Sequence, residues 1–211
     1  MKKTYQKLLL SNKIWAADKL KIDPEYFETL SKGQSPEFLW IGCSDSRVPP
    51  NEVTGTQPGE IFIHRNIANM VVHTDVNMLS VLQYAVEVLK VKHILLVGHY
   101  GCGGVKAAMG NNQLGLIDSW ICNIKDVYNK YHNELLEITD EEQKFERLVE
   151  LNVMEQVRNL VKTNIIQKEW RANNLPHIHG WVFSLNDGLI KQIIEVEPND
   201  FSSIEDIYRL H

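Results

Sequence analysis

Two short, unbroken apolar runs, each closed by glycine, restrict this chain more than any other feature: Phe38-Leu39-Trp40-Ile41-Gly42 and His93-Ile94-Leu95-Leu96-Val97-Gly98. A strand with one wet face alternates apolar and polar residues. A strand covered on both faces reads as a continuous apolar run, which is the signature of parallel sheets sandwiched by helices. Glu60 to His64 is a third, weaker strand. Thr74-Asp75 caps a segment whose apolar positions Met78, Leu82, Ala85, Val86 and Leu89 recur at helical spacing. Residues 114–131 and 140–169 also predict helices, the second carrying Phe145, Leu148, Leu151, Val157, Leu160 and Ile165 between charged positions. Trp181 to Leu185 and Leu189 to Val196, joined by Asn186-Asp187-Gly188, predict a hairpin. The expected class is α/β: a central, mostly parallel β-sheet flanked by helices, with an antiparallel edge hairpin. Residues 1–31 predict two helical pieces, the second opened by Asp23-Pro24, forming an N-terminal helical arm on a single domain spanning 1–211.

Charge and cysteine usage narrow the function classes. The net charge is −5 and no block of Lys and Arg could neutralise a row of phosphates, so nucleic acid is not an expected partner. No stretch of eighteen apolar residues occurs, and Leu8-Leu9-Leu10 is too short for a secretory core, so no membrane association and a cytoplasmic location are expected. Cys43, Cys102 and Cys122 are an odd number, which favours thiols or metal ligands over a disulfide framework.

In α/β sheets, functional groups collect outside the carboxyl ends of the strands. Cys43 immediately follows the first apolar run. His99 and Cys102 follow the second, in Gly98-His99-Tyr100-Gly101-Cys102-Gly103-Gly104. If the two strands are neighbours, the three side chains converge, and two thiolates with one imidazole make a zinc ligand set that leaves a fourth position open. Taken singly, each residue reads as well as a small buried thiol or a satisfied histidine; their joint placement at two strand ends favours a metal. Cys122, between Ile121 and Ile124, is expected in the core. His177 and His179 alternate on one strand face with no acid or thiol nearby in sequence, and are read as structural. Asp45 and Arg47 follow the first ligand. On an open surface such a pair contributes under about 1 kcal/mol. Beside zinc, Asp45 either accepts a hydrogen bond from zinc-bound hydroxide or becomes the fourth ligand of a closed state, and Arg47 holds it off the metal.

Cys43-Ser44-Asp45-Ser46-Arg47 together with the 98–104 segment resembles the two signatures of β-carbonic anhydrases. The likeness continues through Gln34-Ser35-Pro36, Gln57-Pro58-Gly59-Glu60, His64-Arg65-Asn66-Ile67-Ala68-Asn69, Gln83-Tyr84-Ala85-Val86 and His179-Gly180-Trp181-Val182. It implies a zinc lyase, a carbonate dehydratase with one Zn2+ per chain, that interconverts carbon dioxide with bicarbonate and a proton through zinc-bound hydroxide. It also implies a homodimer or homotetramer gripped by the N-terminal arm. It places Asp45 and Arg47 at the catalytic centre, Gln34 as a donor to substrate, and Phe62, Ile67 and Tyr84 as pocket walls, some supplied across the subunit interface. Trp40, Gly42 and Arg65 match the bacterial-type, bicarbonate-regulated members, with Trp40 and Arg65 at a regulatory anion site. Phe183 departs from that pattern, since those relatives carry tyrosine there. Zinc lowers the pKa of coordinated water from 15.7 to about 7 at the three-histidine carbonic anhydrase centre. Two thiolates donate more charge than imidazoles and shift activity toward alkaline pH.

Other readings fare less well. Gly101-x-Gly103 has Lys106 where a dinucleotide fingerprint needs its third glycine. Three residues between Cys43 and Arg47 make too small a loop for a cysteine phosphatase. A zinc hydrolase of carbon disulfide would keep the same residues, and a closed structural zinc site would need neither Gln34 nor Arg47.

Overall fold

The computed structural model describes residues 4–210. The chain divides into two compact units, residues 1–35 and 36–211. In the first, α1 (Thr4–Ile22) and α2 (Tyr26–Ser31) are linked by a short turn. Trp15 packs edge-on against Phe27, with ring centroids 5.5 Å apart, and Leu8, Leu9, Leu10 and Ile14 are exposed. The two helical pieces occur as expected, but the second begins at Tyr26. Asp23 accepts from the Glu25 amide and closes a turn, so Pro24 lies in the turn and not at the first helical position.

In the second unit, β1 (Phe38–Cys43), β2 (Ile61–Asn66), β3 (His93–His99), β4 (His177–Phe183) and β5 (Ile190–Val196) form one sheet in the order β2-β1-β3-β4-β5. The first three pairings are parallel, and β4 with β5 is antiparallel. Both apolar runs are central strands, and they are neighbours: Phe38 pairs with His93 and Gly42 with Val97. Short α3 (Pro50–Thr54) joins β1 to β2, and α4 (Val76–Gln83) leads toward β3. Asp75 caps α4 by accepting from the amides of Asn77 and Met78, as the sequence predicts. A π-helical turn, Tyr84–Val88, extends α4 and is not legible in the apolar spacing.

After β3 come α5 (Gly103–Ala108), α6 (Ile117–Lys130), α7 (His132–Glu137), α8 (Glu141–Val161) and α9 (Asn164–Asn173). The helix predicted over 140–169 is two helices. Thr163 donates to the Leu160 carbonyl and accepts from the Ile166 amide, ending one and capping the next. Cys122 is a correction: Ile121 and Ile124 are buried on α6, but Cys122 between them is exposed, because adjacent helical positions point about 100° apart. The histidines of β4 find their acids across the hairpin, His177 on Glu197 at 2.7 Å and His179 on Glu195 at 3.3 Å. No described helix is long and apolar enough to cross a membrane.

The main core lies between the sheet and the helices, and α8 runs closest to the strands over two glycines. A Cβ at Gly180 would lie 2.6 Å from Ile194 and 2.9 and 3.0 Å from Val153 and Val157; one at Gly98 would lie 2.7 Å from Val153. The missing side chains let the helix seat against β3 and β4. Gly180→Ala should therefore destabilise the fold by roughly 1–3 kcal/mol. Chemical denaturation measures this, and adding Val153→Ala should recover part of the loss.

Candidate metal centre

Parallel pairing in register brings the carboxyl ends of β1 and β3 side by side, and the three candidate ligands meet there. The donor atoms of Cys43, His99 and Cys102 lie within 4.8 Å of one another, all three residues buried. The sulfurs are 3.9 Å apart. Two thiolates on one tetrahedral zinc with bonds of 2.3 Å sit about 3.8 Å apart, so the spacing fits. His99 donates through Nδ1 to the Tyr100 carbonyl at 3.0 Å. That fixes the tautomer and leaves Nε2 as a lone pair with no hydrogen-bond partner in a fully buried ring. A buried nitrogen is rarely left unpaired unless something else occupies its direction. The donor set, its spacing and the orphaned lone pair all fit zinc.

The thiols are prepared for a cation. The hydrogen bond from Cys102 draws Cys43 well below its ordinary value against the opposing effect of burial, while the same bond and burial push Cys102 up. The two sulfurs lie within hydrogen-bonding distance of each other where a metal would sit. Backbone amides support both sulfurs: those of Ala68 and Asp45 favour the Cys43 thiolate, and those of Gly104 and Val105 favour that of Cys102. Ala68 and Asn69 adopt left-handed conformations, with φ of 63° and 48°, which turn the Ala68 amide toward the site. Side chains hold this strained loop. Asn66 accepts from the Met70 amide and donates to its carbonyl, Trp120 donates to the Ile67 carbonyl, and Asn152 donates to that of Ala68. Gly104 lets α5 approach, since a Cβ there would lie 2.8 Å from Ile67.

Asp45 and Arg47 lie at the mouth. Arg47 donates from Nε at 2.9 Å and from a terminal nitrogen at 2.7 Å, one bond to each carboxylate oxygen. This fork holds the Asp45 carboxyl far below the ordinary carboxylate range. Asp45 Oδ2 stands 3.7 Å from His99 Nε2, beyond hydrogen-bond reach but beside the metal position.

The domain family of carbonic anhydrases matches residues 38–190. A tetrameric β-carbonic anhydrase of the filamentous ascomycete Sordaria macrospora superposes with a TM-score of 0.87 at 42% identity, over 92% of this chain and 98% of the other. The chain belongs to the β-carbonic anhydrase family. A carbonic anhydrase of Emericella nidulans is 49% identical over 210 residues, covering 100% of this chain and 92% of its own length. A β-carbonic anhydrase of Coccomyxa, solved in complex with acetazolamide, superposes with a TM-score of 0.86 at 36% identity, over 90% and 87% of the two chains.

Within this β-carbonic anhydrase fold the remaining predicted residues fall into three groups. Phe62 and Tyr84 face each other with ring centroids 5.8 Å apart, and Ile67 and Tyr84 are exposed. Gln34 is an exposed residue after α2, in the first unit. Trp40 is buried in the smaller core on the second sheet face, and its indole fills the space a side chain at Gly42 would take, 2.1 Å from that Cβ. Arg65 donates to the carbonyls of Cys43 and Asp45, so its guanidinium ties down the turn that carries the first ligand. Asn152 and the Ala68 amide were not foreseen. The one sequence signal for Asn152 is its i, i+4 spacing from a second amide, Gln156, on the mainly apolar buried stripe of α8. Purified wild type should hold one zinc per chain, and Cys43→Ala should lose it. Elemental analysis after dialysis decides this; full occupancy in the variant would remove Cys43 as a ligand.

Proposed function

We propose that the chain is a zinc-dependent carbonate dehydratase that reversibly hydrates carbon dioxide to bicarbonate and a proton. The observation that carries this is the orphaned His99 Nε2 facing two sulfurs at zinc-compatible spacing in a chain of this family. Zinc there supplies Lewis acidity that makes a coordinated water acidic enough to serve as nucleophile near neutral pH.

The protein's own part is orientation and exclusion. Asp45, kept ionised by Arg47, only accepts hydrogen bonds, so it would accept one from the nucleophile, whose proton stays on the nucleophile, and so orient the nucleophile's lone pair toward substrate. Arg47, bonded to both carboxylate oxygens, would also keep Asp45 from serving as a metal ligand. Phe62, Ile67 and Tyr84 offer the apolar walls a linear, nonpolar gas needs, and Gln34 is the donor to its oxygen. The working unit is a homodimer or homotetramer. This is supported by the exposed apolar residues of α1 and by the tetrameric Sordaria relative. The proposed compartment is the cytoplasm, supported by three cysteines of which none is paired.

The finer assignment is to the bicarbonate-regulated members of the family. This reading rests on the resemblance at Trp40 and Gly42 of β1 and at Arg65, which pairs with Gly42 from β2, and Phe183 lacks the hydroxyl that would complete the site. One hydrogen bond to a charged group is worth roughly 1.5–3 kcal/mol, so bicarbonate inhibition is weak and Phe183→Tyr strengthens it about tenfold or more.

One stopped-flow series on zinc-quantified protein tests these assignments. Wild type should hydrate carbon dioxide and leave carbon disulfide intact; the reverse would make it a heteroallene hydrolase. Arg47→Ala should lose activity roughly tenfold to a hundredfold at unchanged zinc content, as expected for an outer partner of a metal site. Unchanged activity would remove the Asp45–Arg47 pair from catalysis, and equal bicarbonate inhibition of wild type and Phe183→Tyr would remove the anion site.

A further inference from the structure

The zinc ligand His99 is fixed only as well as the carbonyl it donates to. That carbonyl belongs to its own neighbour, Tyr100, in the peptide leading to Gly101. Gly101 has φ of 72°, and no atom lies within 4 Å of where its Cβ would be. Neither a side chain nor close packing at Gly101 pins this peptide plane. The rest of Tyr100 is bound from two other directions. Its amide donates to the Phe183 carbonyl at the end of β4, at 3.0 Å. Its hydroxyl donates to Glu150 Oε1 on α8, at 2.7 Å. Glu150 is nearly buried and also takes Lys191 from β5 at 2.7 Å and Arg147 at 2.9 Å.

We propose that Tyr100 and Glu150 form a brace that positions the metal ligand His99, anchoring the Tyr100 carbonyl to α8 and β5 so that Nε2 stays aimed at the metal. The inference rests on the zinc reading above. Both residues are positioning residues, since neither reaches the metal or the substrate. The Tyr100 hydroxyl donates to a carboxylate that two cationic side chains also hold in place. Burial opposes ionisation of Glu150, but the bonds from Lys191, Tyr100 and Arg147 together carry its carboxyl below the ordinary value, so it remains an acceptor. A merely structural brace would stabilise the fold with or without metal, whereas a positioning brace acts on metal retention.

The test is the rate of zinc release from loaded full-length protein to an excess of a chromophoric chelator, with urea unfolding of the metal-free chain as the structural control. Tyr100→Phe should release zinc roughly tenfold faster, the lower end of the effect of outer partners on metal affinity. Its metal-free unfolding midpoint should stay close to wild type, because Glu150 keeps two cationic partners. From the other end of the bond, Glu150→Gln retains an oxygen that accepts from Tyr100 and should stay within about twofold of wild type, while Glu150→Leu should match Tyr100→Phe. The double variant Tyr100→Phe/Glu150→Leu should be no faster than either single change. The cobalt-substituted Tyr100→Phe protein should show a shifted thiolate-to-metal absorption band. Zinc release at the wild-type rate in both Tyr100→Phe and Glu150→Leu, or effects that multiply in the double variant, would overturn the brace. A wild-type chain that takes up no zinc would instead overturn the metal reading itself.

Discussion

The in-register parallel pairing of β1 with β3 is the contact on which the rest of this structure depends, because it sets Cys43 beside His99 and Cys102, which lie more than fifty residues further along the chain. Parallel pairing is buried on both faces, and burial is what makes the site work. Thiols and an imidazole removed from water have no solvent partner, so they must share protons or bind a cation. The amides of Ala68, Asp45, Gly104 and Val105 then supply the partial positive charge that water would otherwise give to two thiolates. A metal would complete such an unsatisfied polar cluster.

Around the ligands the chain concentrates strain and offsets it with side-chain hydrogen bonds. Ala68 and Asn69 are consecutive left-handed non-glycine residues, each costing of order 1–3 kcal/mol. The bonds from Asn66, Trp120 and Asn152 to this loop come from one strand and two different helices. Arg65 ties down the Asp45 turn in the same way. The helical layer is thus more than a lid on the core: it holds irregular backbone in the conformation that presents amides to sulfur. The glycines under α8 serve the same end, since only a closely seated helix reaches the loop with residues as short as asparagine.

Much of this was legible in the sequence, for identifiable reasons. The central strands could be read because continuous apolar runs ending in glycine leave few other folds, and the ligands could be read because they sit at the ends of those runs. The weaker β2 and the β4–β5 hairpin followed from shorter patterns and came out shifted by a few residues. What escaped was whatever depends on neighbours distant in sequence. Cys122 was expected in the core from flanking isoleucines, but helical geometry turns it outward. The acids that meet His177 and His179 come from across the hairpin, Glu195 in β5 and Glu197 just after it. The break at Thr163 and the π-helical turn at Tyr84 leave no mark on hydrophobic periodicity, since both conserve the buried face. The partner of Asn152 could not be read, because a polar residue on a mainly apolar stripe reveals which carbonyl it bonds only after the helix is seated.

The central claim is that Cys43, His99 and Cys102 hold one zinc with a fourth position left to a light ligand. X-ray absorption at the zinc edge of the purified protein tests it most directly. The fit should give two sulfur scatterers near 2.3 Å and two nitrogen or oxygen scatterers at about 2.0–2.1 Å, one of them showing the outer-shell pattern of an imidazole ring. A first shell of four sulfurs, or one made of oxygen and nitrogen alone, would contradict it.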